Sequence, residues 1–365
     1  MRSNLIFFLS NAAIFGSWFY IPILADSELG LNEFSIGILF SAYGAALLLS
    51  SYLFGILSDR FGRRQFLFIG LIISTITFGL QAIAWDFWSL LAIRIATGFS
   101  CGIYPAALFA YVYEARRKMG KFSSFGSMGF GFGGFASGVI GEFFEIRYAF
   151  LFSSLLFLLS FLVALRLPLV KNVKMKISLF PIQIIKRNRM VYFSLLLRHS
   201  GAHAIWVIYP LYLLELGANL FWIGVIHGTN ALFQFLYMFF LADKLDSRRL
   251  ITIGLLLSIV TFFLFFSVTI WWMFLPLQVL LAGSWAAIFV GSLKYVTEKN
   301  VERATASGML QSILSMSMIF GSIMGGTIAV YYGKKMTIVA AFLLTVIGTI
   351  AWLLFERKEC SPLKE

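Results

Sequence analysis

Charge is scarce in this chain of 365 residues: Asp, Glu, Lys and Arg together make up 12% of it, about half the share of an ordinary soluble domain. With 60% hydrophobic residues, that scarcity excludes a water-covered globular surface and indicates an integral membrane protein. Cysteine is scarcer still. Cys101, inside an apolar run, and Cys360, near the C-terminus, provide neither a disulfide framework nor metal-ligand spacing. Acids are missing from the interiors of the apolar runs. Asp26, Glu142 and Glu215 lie near one set of run ends, and Glu114 and Glu298 near the other. No catalytic dyad and no metal cluster emerges, so the chain is read as a non-enzyme without metal or cofactor. Short alternating segments, the mark of an outer-membrane barrel, are also lacking.

What is present is a series of apolar runs about 20 residues long, the length a helix needs to cross ~30 Å of hydrocarbon. The spans are read at 5–24, 35–57, 65–84, 87–112, 121–143, 147–167, 190–213, 221–242, 250–267, 270–294, 304–331 and 335–355. The expected fold class is an all-α integral membrane protein with twelve transmembrane helices. The first run is too long for a signal-peptide core and is not followed by a small-residue cleavage site, so it is expected to stay as the first helix. Little chain remains for an extramembrane domain; the longest connection is a basic linker at 168–189.

The net charge of +13 would suggest nucleic acid for a soluble protein. Here the positives follow the loops. Of the 29 Lys and Arg, 24 fall on the side of the N-terminus, and the opposite loops hold only Arg147, Lys334 and Lys335. The positive-inside bias accounts for that pattern without nucleic acid. It predicts cytoplasmic N- and C-termini in a multi-pass protein of the cell membrane.

The chain also repeats itself. Shifted by 184 positions, "LSDRFGRRQFLFIGLIIS" (57–74) lies over "LADKLDSRRLITIGLLLS" (241–258), matching at Leu57, Asp59, Arg64, Ile69, Gly70, Leu71 and Ser74. The same shift pairs "YVYE" with "YVTE", and a shift of 187 pairs "LGLNEFSIG" (29–37) with "LGANLFWIG" (216–224). Two six-helix copies in one orientation are expected, over 1–167 and 190–365, joined by 168–189.

The stretch "GILSDRFGRR" resembles the major facilitator superfamily signature G-x-L-[AS]-D-[RK]-x-G-[RK]-[RK], between the second and third spans, through Gly55, Asp59, Arg60, Gly62, Arg63 and Arg64. The resemblance implies a secondary transporter working by alternating access. It also implies that Asp59 meets the N-terminal end of the eleventh span when the cytoplasmic side is closed, a favourable place for a carboxylate. Asp243 is the counterpart in the second copy, without the glycines. "RIATGFSCG" is similar to the family's R-x-x-x-G-x-x-x-G pattern through Arg94, Gly98 and Gly102. The fifth span, "GSMGFGFGGFASGVIGE", has Phe where the drug–proton antiporter branch has proline. Its glycines suit close helix crossing.

Intramembrane ionisable groups are costly and tend to mark a pathway. They are Arg94, Arg198, His199, His203 and His227. At 1.5 Å per residue, Arg94 lies about 10 Å from one surface and Arg198 about 12 Å from the other, so both can border one central cavity. By resemblance the first, fourth, seventh and tenth spans line it. Two arginines without a buried acid suit an anionic or polar metabolite. The competing account has Arg94 bonded to backbone or hydroxyl groups and Arg198 snorkelling to the surface. His199 and His203, one helical turn apart, suit a coupling proton or simple packing. Tyr104 and Trp206, with Trp18, Tyr20, Trp285 and Gln278, are further candidates to shape the site. The expected partners are a small-molecule substrate, the lipid bilayer and, on one reading, protons, for a monomer. Two alternatives stand beside the metabolite transporter: efflux of lipophilic drugs or sugars, and a non-transporting membrane sensor.

Overall fold

The computed structural model describes residues 2–114, 119–168, 182–240, 244–300 and 303–360. Among these, helices join end to end into twelve rods. The first half holds α1 (Arg2–Trp18, continued by Ile21–Ile23 and the wider turn Leu24–Glu28), α2 (Glu33–Phe61), α3 (Arg63–Leu80), α4 (Phe87–Ile103, continued by Pro105–Glu114), α5 (Met119–Phe143) and α6 (Ile146–Leu165). The second half holds α7 (Ile182–Trp206, continued by Tyr209–Glu215), α8 (Leu220–Phe240), α9 (Ser247–Phe266), α10 (Phe274–Lys299), α11 (Arg303–Tyr332) and α12 (Met336–Cys360). Ten of the rods are long and apolar enough to cross a membrane. The other two are α5, diluted by glycine, and α7, which carries Arg198, His199 and His203.

Polar side chains set the helix starts. Asn32 accepts from the Ser35 amide at 2.9 Å to begin α2. Asp86 and Ser89 cap each other's backbone amides at 2.8 and 3.0 Å to begin α4, and Asp246 accepts from the Arg249 amide at 2.9 Å to begin α9. Each satisfies donors that the first helical turn leaves open.

The internal repeat is visible as repeated contacts. Ser74 on α3 meets Ser100 on α4, Oγ to Oγ at 3.1 Å. In the second half, 184 positions on, Ser258 on α9 meets Ser284 on α10 at 2.5 Å. Gly70 packs on Tyr104 and Gly254 on Ile288, again with a shift of 184. Both leading helices also break directly after a tryptophan, Trp18 in α1 and Trp206 in α7, and restart around Pro22 and Pro210.

The halves meet along two seams. In one, α2 lies against α11: a Cβ on Gly37 would come within 2.6 Å of the Ser322 carbonyl, and one on Gly326 within 2.6 Å of the Glu33 carbonyl. Ser41 donates to the Ile319 carbonyl at 3.0 Å beside them. In the other, α5 lies against α8, with Gly131 facing Ala231 and Gly138 facing Leu220 and Gly224. The opposite face of α5 packs on α1, where Gly129 and Gly133 face the carbonyls of Phe8 and Ala12. Small residues thus allow two neighbours to approach one helix at backbone distance.

Candidate substrate site and closing contacts

Arg94 is buried in the first half, 1% exposed. Its guanidinium lies over three rings, at 4.2 Å from the centroid of Tyr43, 5.0 Å from Phe40 and 5.5 Å from Trp18. Nη1 donates to Gln81 Oε1 at 3.4 Å, and Ser17 donates to the same oxygen at 3.0 Å. Nε and Nη2 have no partner among the described residues. No carboxylate among the described residues approaches it. The aromatic faces offset part of the cost of burying the cation, and two donors remain for an acceptor.

Arg198 is buried to the same degree in the second half. Nε donates to Ser258 at 2.9 Å and Nη2 to Ser284 at 3.1 Å, so the serine pair of the repeat forms its seat. Nη1 lies 3.4 Å from His199 Nδ1, and the guanidinium stands over Phe262 and Trp285. His199 stacks on Trp285 at 4.7 Å and meets the His203 ring at 4.6 Å. His203 in turn faces Trp18 of the first half at 6.1 Å. Arg94, Trp18, His203, His199 and Arg198 therefore form one continuous line across the two halves.

Of the other candidates, Trp285 lies against it beside Arg198 and His199, whereas Trp206 and Tyr104 lie apart from it. Trp206 is half-buried and stands edge-on to Tyr209 at 5.1 Å. Tyr104 is packed inside the first half against Gly70 and Phe157. Gln81, Tyr43, Ser258 and Ser284 were not singled out by the sequence as site residues. Ser258 alone had left a signal, as the repeat match of Ser74.

In the signature stretch, the Gly62 amide closes α2 on the Ser58 carbonyl at 3.1 Å. Gly62 has φ 122°, ψ 138° and separates α2 from α3. A side chain is strained there, which is why glycine holds the turn. Gly55 faces the Ala106 methyl with room to spare, since a Cβ there would lie 3.8 Å away. Arg64 donates to the Leu165 carbonyl at 3.1 Å, placing a cation at the C-terminal end of α6 where the helix dipole favours it. Arg63 is half-buried at the start of α3. The side chains of Asp59 and Arg60, and all of Asp243, lie outside the described residues.

At the end of the molecule away from the termini, charged and polar groups tie the halves together. Lys334, between α11 and α12, pairs with Glu33 at the start of α2 at 2.8 Å and with Glu215 at the end of α7 at 2.6 Å. Asn219 donates to Glu142 at 3.1 Å across the second seam. The hydrogen bond from Lys334 is the main cause holding the Glu33 carboxyl below its usual 4.5. Lys334, opposed by desolvation, is nevertheless held above 10.5 by its hydrogen bonds to Glu215 and Glu33. A lowered carboxylate favours the closed contact above its free value and loses it as pH falls; a raised amine loses it only as pH rises past its own value. The contact is therefore at full strength between about pH 5 and 10. Lys334→Ala is expected to raise modification of Ser322→Cys, in a background without Cys101 and Cys360, about fivefold, or roughly 1 kcal/mol. The ratio of the two rates, taken at each pH so that the thiol's own ionisation cancels, stays flat across that pH range. A rate unchanged by Lys334→Ala contradicts the assignment.

Comparison with known proteins agrees with this architecture. The profile of the Major Facilitator Superfamily matches residues 4–239 and 191–365. An uncharacterized MFS-type transporter of Methanocaldococcus jannaschii is 26% identical, covering 96% of this chain and 97% of its own length. Tetracycline resistance protein, class E, of Escherichia coli is 28% identical over 76% of this chain and 73% of its own. The solved structure of the nucleoside transporter NupG aligns with a TM-score of 0.74 at 17% identity, covering 97% of this chain and 98% of its own. The human organic anion transporter MFSD10 aligns at 0.75 and 18%, covering 96% and 98%. With twelve rods in two copies, two small-residue seams and a signature turn at Gly62, the chain belongs to the Major Facilitator Superfamily and is a membrane transporter.

Proposed function

We propose that the protein is a secondary transporter of a small organic anion. The observation that carries this reading is the pair of buried guanidiniums, Arg94 and Arg198, on one line between the halves with no carboxylate beside either among the described residues. Uncompensated buried charge is costly, and an anionic substrate supplies the compensation. His199 and His203 stand between the two cations and are the groups proposed to exchange a coupling proton. The halves, read as 1–167 and 190–365 but with α7 of the second already begun at Ile182, rock about this line. The end held by Lys334 is the outer one, and both termini are cytoplasmic, by the distribution of Lys and Arg. The protein acts as a monomer in the cell membrane.

The test is uptake into proteoliposomes of organic anions, sugars and dyes, with and without a pH gradient. Uptake of an anion, abolished by Arg94→Ala, is the expected result. Efflux of lipophilic dyes is the second reading, favoured by the tetracycline resistance protein among the relatives. Dye efflux insensitive to Arg94→Ala establishes that reading in place of the first.

Asp59 is proposed to latch the cytoplasmic side. Asp59→Asn is expected to shift the balance of inward and outward states about fivefold, for a charge contact worth roughly 1 kcal/mol. Unchanged accessibility of a cysteine at the cytoplasmic end refutes the latch.

A further inference from the structure

The repeat that relates Ser74 to Ser258 and Ser100 to Ser284 also relates Arg94 to Gln278. The shift of 184 places "RIATGFSCG" (94–102) over "QVLLAGSWA" (278–286), so the small residues Gly98 and Gly102 become Ala282 and Ala286 while the guanidinium becomes a carboxamide. Each of the two side chains reaches toward the broken leading helix of its own half. Arg94 lies over Trp18, and Gln278 Nε2 donates to Tyr209 Oη at 2.8 Å, just past the break after Trp206. Each is buried and incompletely bonded. Gln278 is 0% exposed, and its Oε1 has no partner among the described residues.

A second group without a partner stands nearby. His227, 2% exposed, stacks on Phe19 at 3.4 Å and faces Tyr209 at 5.8 Å, and its Nε2 has no partner among the described residues. The amides around it are committed. Ser127 donates to Gln234, Gln234 to Asn230, and Asn230 to the Gln278 backbone carbonyl. These bonds hold the Gln278 backbone, and its side-chain Oε1 is left as an acceptor. The Tyr209 hydroxyl keeps its own proton to give, and His227 Nε2 takes either role with its tautomer. Buried polar atoms without a partner cost about 1–3 kcal/mol each, and a ligand that supplies partners recovers that energy.

The two polar ends are joined by adjacent residues, since Trp18 touches the Arg94 group and Phe19 touches the His227 group. One end offers only donors to an anion; the other offers an acceptor and a hydroxyl. An ammonium group finds no carboxylate at the second end among the described residues, whereas a hydroxyl both gives to Gln278 Oε1 and accepts from Tyr209. We infer that the substrate is a hydroxylated organic anion, its charged group bound at Arg94 and its hydroxyl-bearing end bound by Gln278, Tyr209 and His227. This rests on the anion reading and adds the specificity of the second end.

The test is equilibrium binding to the purified full-length protein in detergent, followed by tryptophan fluorescence, with three probes of six carbons: gluconate, hexanoate and glucitol. Gluconate is expected to bind at least tenfold more tightly than hexanoate. Gln278→Met is expected to remove most of that ratio by weakening gluconate alone, and Tyr209→Phe to act in the same direction. Arg94→Gln weakens gluconate and hexanoate together and leaves glucitol unchanged. Equal affinities for gluconate and hexanoate in the parent, or equal weakening of both by Gln278→Met and Tyr209→Phe, overturn this inference while leaving the anion reading intact. Gluconate binding insensitive to Arg94→Gln, with glucitol bound as well as gluconate, overturns the anion reading and keeps the hydroxyl site. Binding of none of the three overturns both.

Discussion

Arg94→Gln is expected to lower initial uptake of the anionic substrate by about 100-fold, with little loss of thermal stability. Removing one partner of a buried charge contact costs about 2–5 kcal/mol, and each 1.4 kcal/mol is about tenfold. Stability behaves differently because no acid is left behind. The guanidinium is held by three rings and one amide oxygen, and a neutral amide of smaller size removes a desolvated charge rather than orphaning one. Arg94→Lys is expected to fall between, about tenfold down. It keeps the charge but loses the planar face that lies over Tyr43, Phe40 and Trp18 and the second unpaired donor. Uptake by Arg94→Gln within threefold of the parent, at equal protein, rules out substrate contact.

Gly133→Ala and Gly98→Ala carry the second large effect, on assembly. A Cβ at Gly133 would overlap the Ala12 carbonyl on α1, and one at Gly98 the Tyr43 carbonyl on α2. Neither neighbour is a side chain that swings aside, so the helices must separate. Overpacking of this kind costs about 1–3 kcal/mol, occasionally more, and the expected readout is a melting temperature several degrees lower with a broadened size-exclusion peak. Gly308→Ala is the control. Nothing lies within 4 Å of a Cβ there, and alanine is the better helix former by about 1 kcal/mol, so that variant is neutral or stabilised. Equal behaviour of all three variants contradicts backbone-level packing at Gly98 and Gly133.

The different fates of these glycines show what sequence reading captured. Except at the start of α7, whose helix begins at Ile182 within the stretch read as linker rather than at 190, the rods lie within a few residues of the spans read from apolar runs, since crossing length and capping residues are local properties. The break in α7 after Trp206, within a span read as continuous over 190–213, was not anticipated. The repeat was legible because identical residues recur at one shift, and that shift relates the Ser258–Ser284 pair that seats Arg198 to the Ser74–Ser100 pair between α3 and α4. The Gly129 and Gly133 spacing announced a crossing but not that α1 was the partner. The ties between Lys334, Glu33 and Glu215 were not legible at all. These residues come from three separate loops or helix ends, and only the way the halves meet brings them within 2.6–2.8 Å. Gln278 entered as one polar residue among several. Its equivalence to Arg94 takes on meaning only once the neighbours of both are known.

The two rods that fall short of spanning apolarity have a consequence for how the protein is made. α7 carries Arg198 near its middle, and an arginine at the centre of a lone helix adds about 2.5–3.5 kcal/mol to its entry into lipid. The groups that satisfy this arginine, Ser258 on α9 and Ser284 on α10, are synthesised 60 and 86 residues later. During synthesis α7 thus emerges before the partners that make it stable in the bilayer. It must wait at the translocation channel, or at the membrane surface, until α9 and α10 arrive. In a ribosome-stalled chain that ends after α8, a cysteine placed in α7 should accordingly react with a membrane-impermeant thiol reagent, and in one that ends after α10 it should be shielded.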